Sequence, residues 1–210
     1  MKKAFNLSEI LITLGIIGVV SALTLPTVIK NYQKYTTVNQ LKKVYTVLNQ
    51  AFKMSEIDND IYENWDKVEA IGIVEYSQKY WQHYLKVIKI CSNYTDCGYS
   101  EALPWMNAIN SVKTQKSIGE KSFIINDGTL ITFNTAGDAI HIDLNAGAGP
   151  NRYGRDLFTF YIYNKGVIAA GSHSNPNDYC NKTRTEGNNG EWCSGKIVKD
   201  GWKIKDDYPW

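Results

Sequence analysis

Apolar residues run almost without a break from Ile10 to Leu25, interrupted only by Thr13, Ser21, Thr24 and small glycines. Past Pro26 the run gives way to spaced apolar positions. Val38, Leu41, Tyr45, Leu48 and Phe52 recur at steps of three and four, ringed by Lys30, Lys34, Lys42, Lys43 and Lys53. That spacing predicts one amphipathic helix continuing the apolar one, bent or loosened where Pro26 lacks a backbone donor. Residues 66–90 also follow a helical pattern, offering Val74, Tyr80, Trp81, Tyr84, Leu85 and Ile88 for burial.

From Lys121 the period shortens. Residues 122–125 and 129–133 flank Asn126-Asp127-Gly128, a hairpin signal. Further strands are predicted over 139–144, 157–163 and 167–170, with a short helix near Lys196–Lys199 stopped by Gly201. The pattern therefore predicts an α+β fold. A long N-terminal helix, apolar in its first half and amphipathic in its second, packs on an antiparallel sheet of four or five strands.

The apolar segment admits three uses. It suits a cleaved secretory signal ending near Val20-Ser21-Ala22, or a plain membrane anchor. It also suits a retained helix behind a short leader cut between Ala4 and Phe5. Phe5 to Leu25 would span roughly 30 Å as a helix, the thickness of a bilayer core. Lys2 and Lys3 precede it and would stay in the cytoplasm. Glu9 favours the third use. A carboxylate within an apolar segment costs about 2.5–3.5 kcal/mol, and a signal or plain anchor gains nothing from it. Cleavage before Phe5 would free an amine that could neutralise Glu9 of a neighbouring copy.

The segment Ala4-Phe5-Asn6-Leu7-Ser8-Glu9-Ile10-Leu11-Ile12-Thr13-Leu14-Gly15-Ile16-Ile17-Gly18-Val19-Val20 resembles the prepilin-type N-terminal cleavage and methylation motif. That family usually has Gly where this chain has Ala4; small size is kept. Tyr32-Gln33-Lys34 and Gln40-Leu41-Lys42-Lys43 are also similar to pilin-like proteins of type II secretion systems. The resemblance implies a pilin-like fold, with leader 1–4, membrane helix 5–29 and a globular domain 30–210 outside the cytoplasm. It implies cleavage between Ala4 and Phe5 by a prepilin peptidase, N-methylation of Phe5, assembly through Glu9 and a helix bend at Pro26. Further partners are the bilayer, an inner-membrane assembly platform, and other copies or pilin-like subunits in a secretion pseudopilus or pilus-like filament. The competing expectation is a minor pilin or adhesin whose head binds a surface ligand or DNA.

The four cysteines form two close pairs, Cys91 with Cys97 and Cys180 with Cys193. Outside the cytoplasm such pairs predict disulfides. Zinc fits less well, because neither pair has knuckle spacing and no histidine stands beside them. The loop 143–156 holds Asp143, Asn145, Asn151 and Asp156 among glycines. Two uses are open: calcium ligands, which the resemblance supports because major pseudopilins bind calcium in a C-terminal loop, or turn caps bonded to nearby amides. No other cofactor is expected.

Composition removes other classes. The formal net charge is +2, and removing Lys2 and Lys3 with the leader leaves 21 basic against 21 acidic residues. No basic stripe argues for nucleic acid. His83, His141 and His173 are far apart, and no nucleophile elbow, phosphate loop or zinc-protease motif occurs. The expectation is a structural subunit and not an enzyme.

Overall fold

The computed structural model describes residues 6–114 and 121–210. Helix α1 runs Leu7–Asn59. A 3₁₀ turn at Tyr62–Asn64 leads into α2, Val68–Tyr80, and a second 3₁₀ turn spans Gln82–Tyr84. Six strands follow: β1 Val87–Cys91, β2 Ser122–Ile125, β3 Leu130–Phe133, β4 Ala139–Asp143, β5 Leu157–Tyr163 and β6 Gly166–Ala169. Helix α3, Cys193–Lys199, comes last. The chain divides into two compact units, Met1–Thr36 and Thr37–Trp210.

The sheet is an antiparallel meander in sequence order, β1 to β6. Local chemistry sets its turns. At the predicted hairpin, Gly128 takes φ 87°, and the amide of Ile125 bonds the carbonyl of Thr129 at 3.0 Å; a left-handed position of this kind favours glycine. Gly201, φ 71°, ends α3 as expected. Its amide reaches Val198 O at 3.0 Å and Trp202 N reaches Ile197 O at 2.8 Å, a Schellman stop.

In the second unit α1 buries Val38, Leu41, Val44, Leu48, Ala51, Phe52 and Ser55. They share a core with Phe123, Ile125, Ile131, Phe133, Ile140, Ile142, Phe158, Phe160 and Ile162. Each fully buried Leu or Phe contributes roughly 1.5–3 kcal/mol relative to exposure. The buried stripe centres on Val44, so Tyr45 is only half-buried and stacks on Phe160, ring centroids 5.7 Å apart.

The expected helix over 66–90 is corrected. It stops at Tyr80 because Trp81 leaves helical geometry (φ −133°), and Gly72 at φ 77° already breaks its regularity. Val87-Ile88-Lys89-Ile90 then pairs with β2, as β-branched residues at alternating positions can. This adds the sixth strand.

The second face of the sheet is covered too. Cys91, Tyr94, Cys97, Tyr99, Trp105, Leu130, Ala146, Tyr153 and Leu157 form a separate core there. Beside it a polar row crosses four strands. Ser122 Oγ donates to Thr132 Oγ1 at 2.9 Å, and His141 Nδ1 lies 3.0 Å from Thr159 Oγ1. Asn49 closes the β6 edge: its amide donates to Val167 O and its Oδ1 accepts from Val167 N, each at 3.1 Å.

Candidate functional site

The first unit carries the assembly residues expected from sequence. Every residue from Asn6 to Gln33 is exposed, and the helix is long and apolar enough to cross a membrane. Its hydroxyls are satisfied within the helix: Thr13 Oγ1 donates to Ile10 O and Thr24 Oγ1 to Val20 O, both at 2.9 Å. Side chains bonded this way suit a segment without water. Pro26 lies inside the helix and borders a groove of about 520 Å³ with Ser21, Ala22, Leu25, Ile29 and Lys30. The expected cleavage between Ala4 and Phe5, and Phe5 itself, lie outside the described residues.

Glu9 has a local partner that the sequence argument missed. Its Oε2 accepts from Asn6 N at 3.1 Å, while Asn6 Oδ1 accepts from Ser8 N at 3.3 Å. Asn6 and Glu9 thus cap the helix start reciprocally. The signal was present as an Asn-x-x-Glu spacing. A carboxylate there gains a capping bond even in an isolated anchor, so its position alone does not demand a neighbouring amine.

In the second unit Cys91–Cys97 and Cys180–Cys193 are disulfides. The first closes a loop at the end of β1; the second ties residue 180 to the start of α3. Such crosslinks fit a domain outside the cytoplasm.

Asp143, Asn145, Asn151 and Asp156 lie on one loop; the side chains of Asp143, Asn145 and Asp156 are engaged, while the buried Oδ1 of Asn151 has no partner among the described residues. Asp143 Oδ2 accepts from the Tyr99 hydroxyl at 2.6 Å and Oδ1 from Asn145 N at 3.1 Å. Asp156 accepts from Asn151 N and Arg152 N, both at 2.7 Å. Asn145 Nδ2 donates to Gly149 O at 2.7 Å. Burial, and then the neighbouring Asp156 charge, push the Asp143 carboxyl well above its usual range. Burial also raises Asp156, against the amides it accepts from. Among the described residues no three His, Cys, Asp or Glu side chains cluster as a metal site. The carboxylates act here as turn and loop anchors.

The three histidines stay apart. His83 and His173 are exposed, while His141 is buried in the polar row, where Tyr153 OH lies 3.3 Å from its Nδ1.

No curated protein and no solved structure matches the chain. One family does, over residues 27–170, from just past Pro26 to the residue after β6, which is more than half of the sequence. The chain therefore belongs to DUF6613, a family of unknown function.

Proposed function

We propose that this protein is a structural subunit of a type II secretion pseudopilus or a type IV pilus-like filament. A prepilin peptidase cuts between Ala4 and Phe5 and methylates Phe5. The subunit waits in the bacterial inner membrane, and an assembly platform then draws its helix into a filament core.

One observation carries this reading. Helix α1 is packed under a sheet from Val38 to Ser55, yet from Leu7 to Ile29 its large apolar side chains are exposed behind a single acid. A soluble enzyme has no use for such a surface. The motif around Phe5 and Glu9 supports the same reading, and the two disulfides support a head outside the cytoplasm.

Two substitutions separate pairing from capping at Glu9. Glu9→Ala removes both, and is expected to leave cleavage intact and abolish filament assembly. Glu9→Gln keeps an N3 residue able to cap but has no charge for a neighbour's amine. It too should be cleaved and fail to assemble, with helix content unchanged in detergent. Normal filaments from Glu9→Gln would reduce the acid to a cap and remove the electrostatic basis of the proposal.

A further inference from the structure

Arg152 carries a half-buried guanidinium. Among the described residues its side chain makes no hydrogen bond or ion pair, and its buried Nε has no partner. It lines a pocket of about 250 Å³ with Ala108, Ile109, Lys182, Pro209 and Trp210. The indole Nε1 of Trp210 is a second buried donor without an acceptor. Buried polar groups are nearly always hydrogen-bonded; two residues that each carry an orphan donor line one cavity, which favours an acceptor that enters from outside.

The walls are held in place. Met106 N bonds Asn151 O at 2.8 Å and Tyr153 N bonds Met106 O at 3.0 Å, locking residue 152 beside 106–108. Ala108 N bonds Asn189 O at 2.8 Å. Tyr208 OH donates to Gly154 O at 2.7 Å, and the Arg155 guanidinium sits 4.3 Å over the Trp210 ring. These contacts fix the last residues against the 151–155 loop. Lys182 Nζ donates to a backbone acceptor, Asp206 O, and forms no ion pair among the described residues.

The electrostatics agree. Burial, and then the nearby Arg155 cation, lower the Arg152 pKa. The Asp156 carboxylate opposes this, but both its oxygens accept from backbone amides of residues 151 and 152. The cavity is smaller than the about 300–1,000 Å³ of sites for drug-sized ligands. It suits a small oxyanion.

We propose that this pocket binds a small oxyanion, a carboxylate or phosphate group, held by the Arg152 guanidinium, Lys182 Nζ and the Trp210 indole N–H. Planar guanidinium donors match both oxyanions in forked geometry. The inference does not rest on the filament reading.

The test uses the full chain in non-ionic detergent micelles with ¹⁵N-labelled tryptophan, whose six indole signals are followed by NMR. Trp210→Phe assigns the signal of interest. Inorganic phosphate, acetate and chloride are titrated separately at matched ionic strength. The Trp210 signal should move saturably with phosphate, acetate or both; which one responds names the class. Arg152→Gln should weaken that response at least about tenfold, or 1.4 kcal/mol, with the other five signals in place as a folding control. Lys182→Ala, at an exposed position, should weaken it less. A Trp210 signal unmoved by either oxyanion, an equal response to chloride, or an undiminished response in Arg152→Gln would overturn the proposal.

Discussion

Asn49 offers the sharpest test of how the head is held together. Strand β6 is the last of the sheet, and an edge strand exposes unpaired backbone groups. Here one side chain from α1 takes both groups of Val167, the amide through Oδ1 and the carbonyl through Nδ2. The second Nδ2 hydrogen goes back to Tyr45 O at 3.0 Å. Asn49→Ala removes two inter-element hydrogen bonds, each worth about 0.5–1.5 kcal/mol net. The expected loss is therefore about 1–3 kcal/mol, or roughly 2–12 °C in Tm for a domain of this size.

Asn49→Asp refines the argument. Ionised, it still accepts from Val167 N, but it turns an oxygen toward the carbonyls of Tyr45 and Val167. Protonated, it can donate again. The folded state then favours the protonated form, so the folded pKa lies above the unfolded one. Its stabilising contribution is fully present below the unfolded pKa and is lost as pH rises through the folded value. Urea midpoints should show Asn49→Asp near wild type in acid and near Asn49→Ala at neutral pH. An Asn49→Ala midpoint equal to wild type would refute the clamp, and so would an Asn49→Asp difference that does not vary with pH.

Two further outcomes follow from the 143–156 loop. The Asp143 carboxyl is raised well above its usual 3.8 by burial and by Asp156, so what it contributes to stability is full below 3.8 and lost as pH rises through the folded value. Asp143→Asn, whose one oxygen can still accept from Asn145 N while its Nδ2 donates to the Tyr99 hydroxyl oxygen, should gain on wild type as pH rises, and urea midpoints running parallel across a pH series would contradict this. Because the carboxylate oxygens of Asp143 and Asp156 already accept protein donors, excess calcium should leave the melting temperature of the protein unmoved; a rise would show that the ion displaces those bonds.

Features set by neighbours in sequence were legible. The apolar run, the helical stripe, the Asp127-Gly128 hairpin, the Gly201 stop and the two short cysteine loops all depend on local spacing. Strand β1 was not, because Val87-Ile88-Lys89-Ile90 continues a helical pattern as readily as it starts a strand, and its pairing with β2 spans some thirty residues. The second core layer was hidden for another reason. Ser122, Thr132, His141 and Thr159 alternate with apolar residues and so resemble a wet sheet face. The structure buries all four and lets them satisfy one another across the strands. The Arg152 pocket draws on segments near 108, 152, 182 and 210, a convergence that no spacing rule detects. At Glu9 the Asn6-x-x-Glu9 capping pattern was readable but was outweighed by the insertion cost of a buried acid.

The distribution of uncovered apolar surface bears on where the proposed association would occur. Between Leu7 and Tyr32 fourteen large hydrophobic side chains are exposed, among them Leu11, Leu14, Val19, Leu23 and Val28. In the head the two faces of the sheet are largely buried under two cores from β2 to β6, and Asn49 takes the outward groups of Val167 on β6. What remains apolar and exposed there is sparse, chiefly Ile88 and Ile90 on β1 with Met54, Ile57 and Ile61. Burial of apolar area is the main source of association free energy, so the head has little to contribute and the helix has much. In a bilayer, however, lipid already covers the helix, and packing one helix on another gains only van der Waals contact and polar pairing. A partner for Glu9, the one acid between Leu7 and Tyr32, then matters out of proportion to its size, because an unpaired acid in hydrocarbon opposes insertion and a paired one does not. If the chain assembles as proposed, specificity would fall on Glu9 as far as its cap on Asn6 N does not already satisfy it, and the loss expected from Glu9→Gln, which keeps a side chain able to cap, is the measure of that difference.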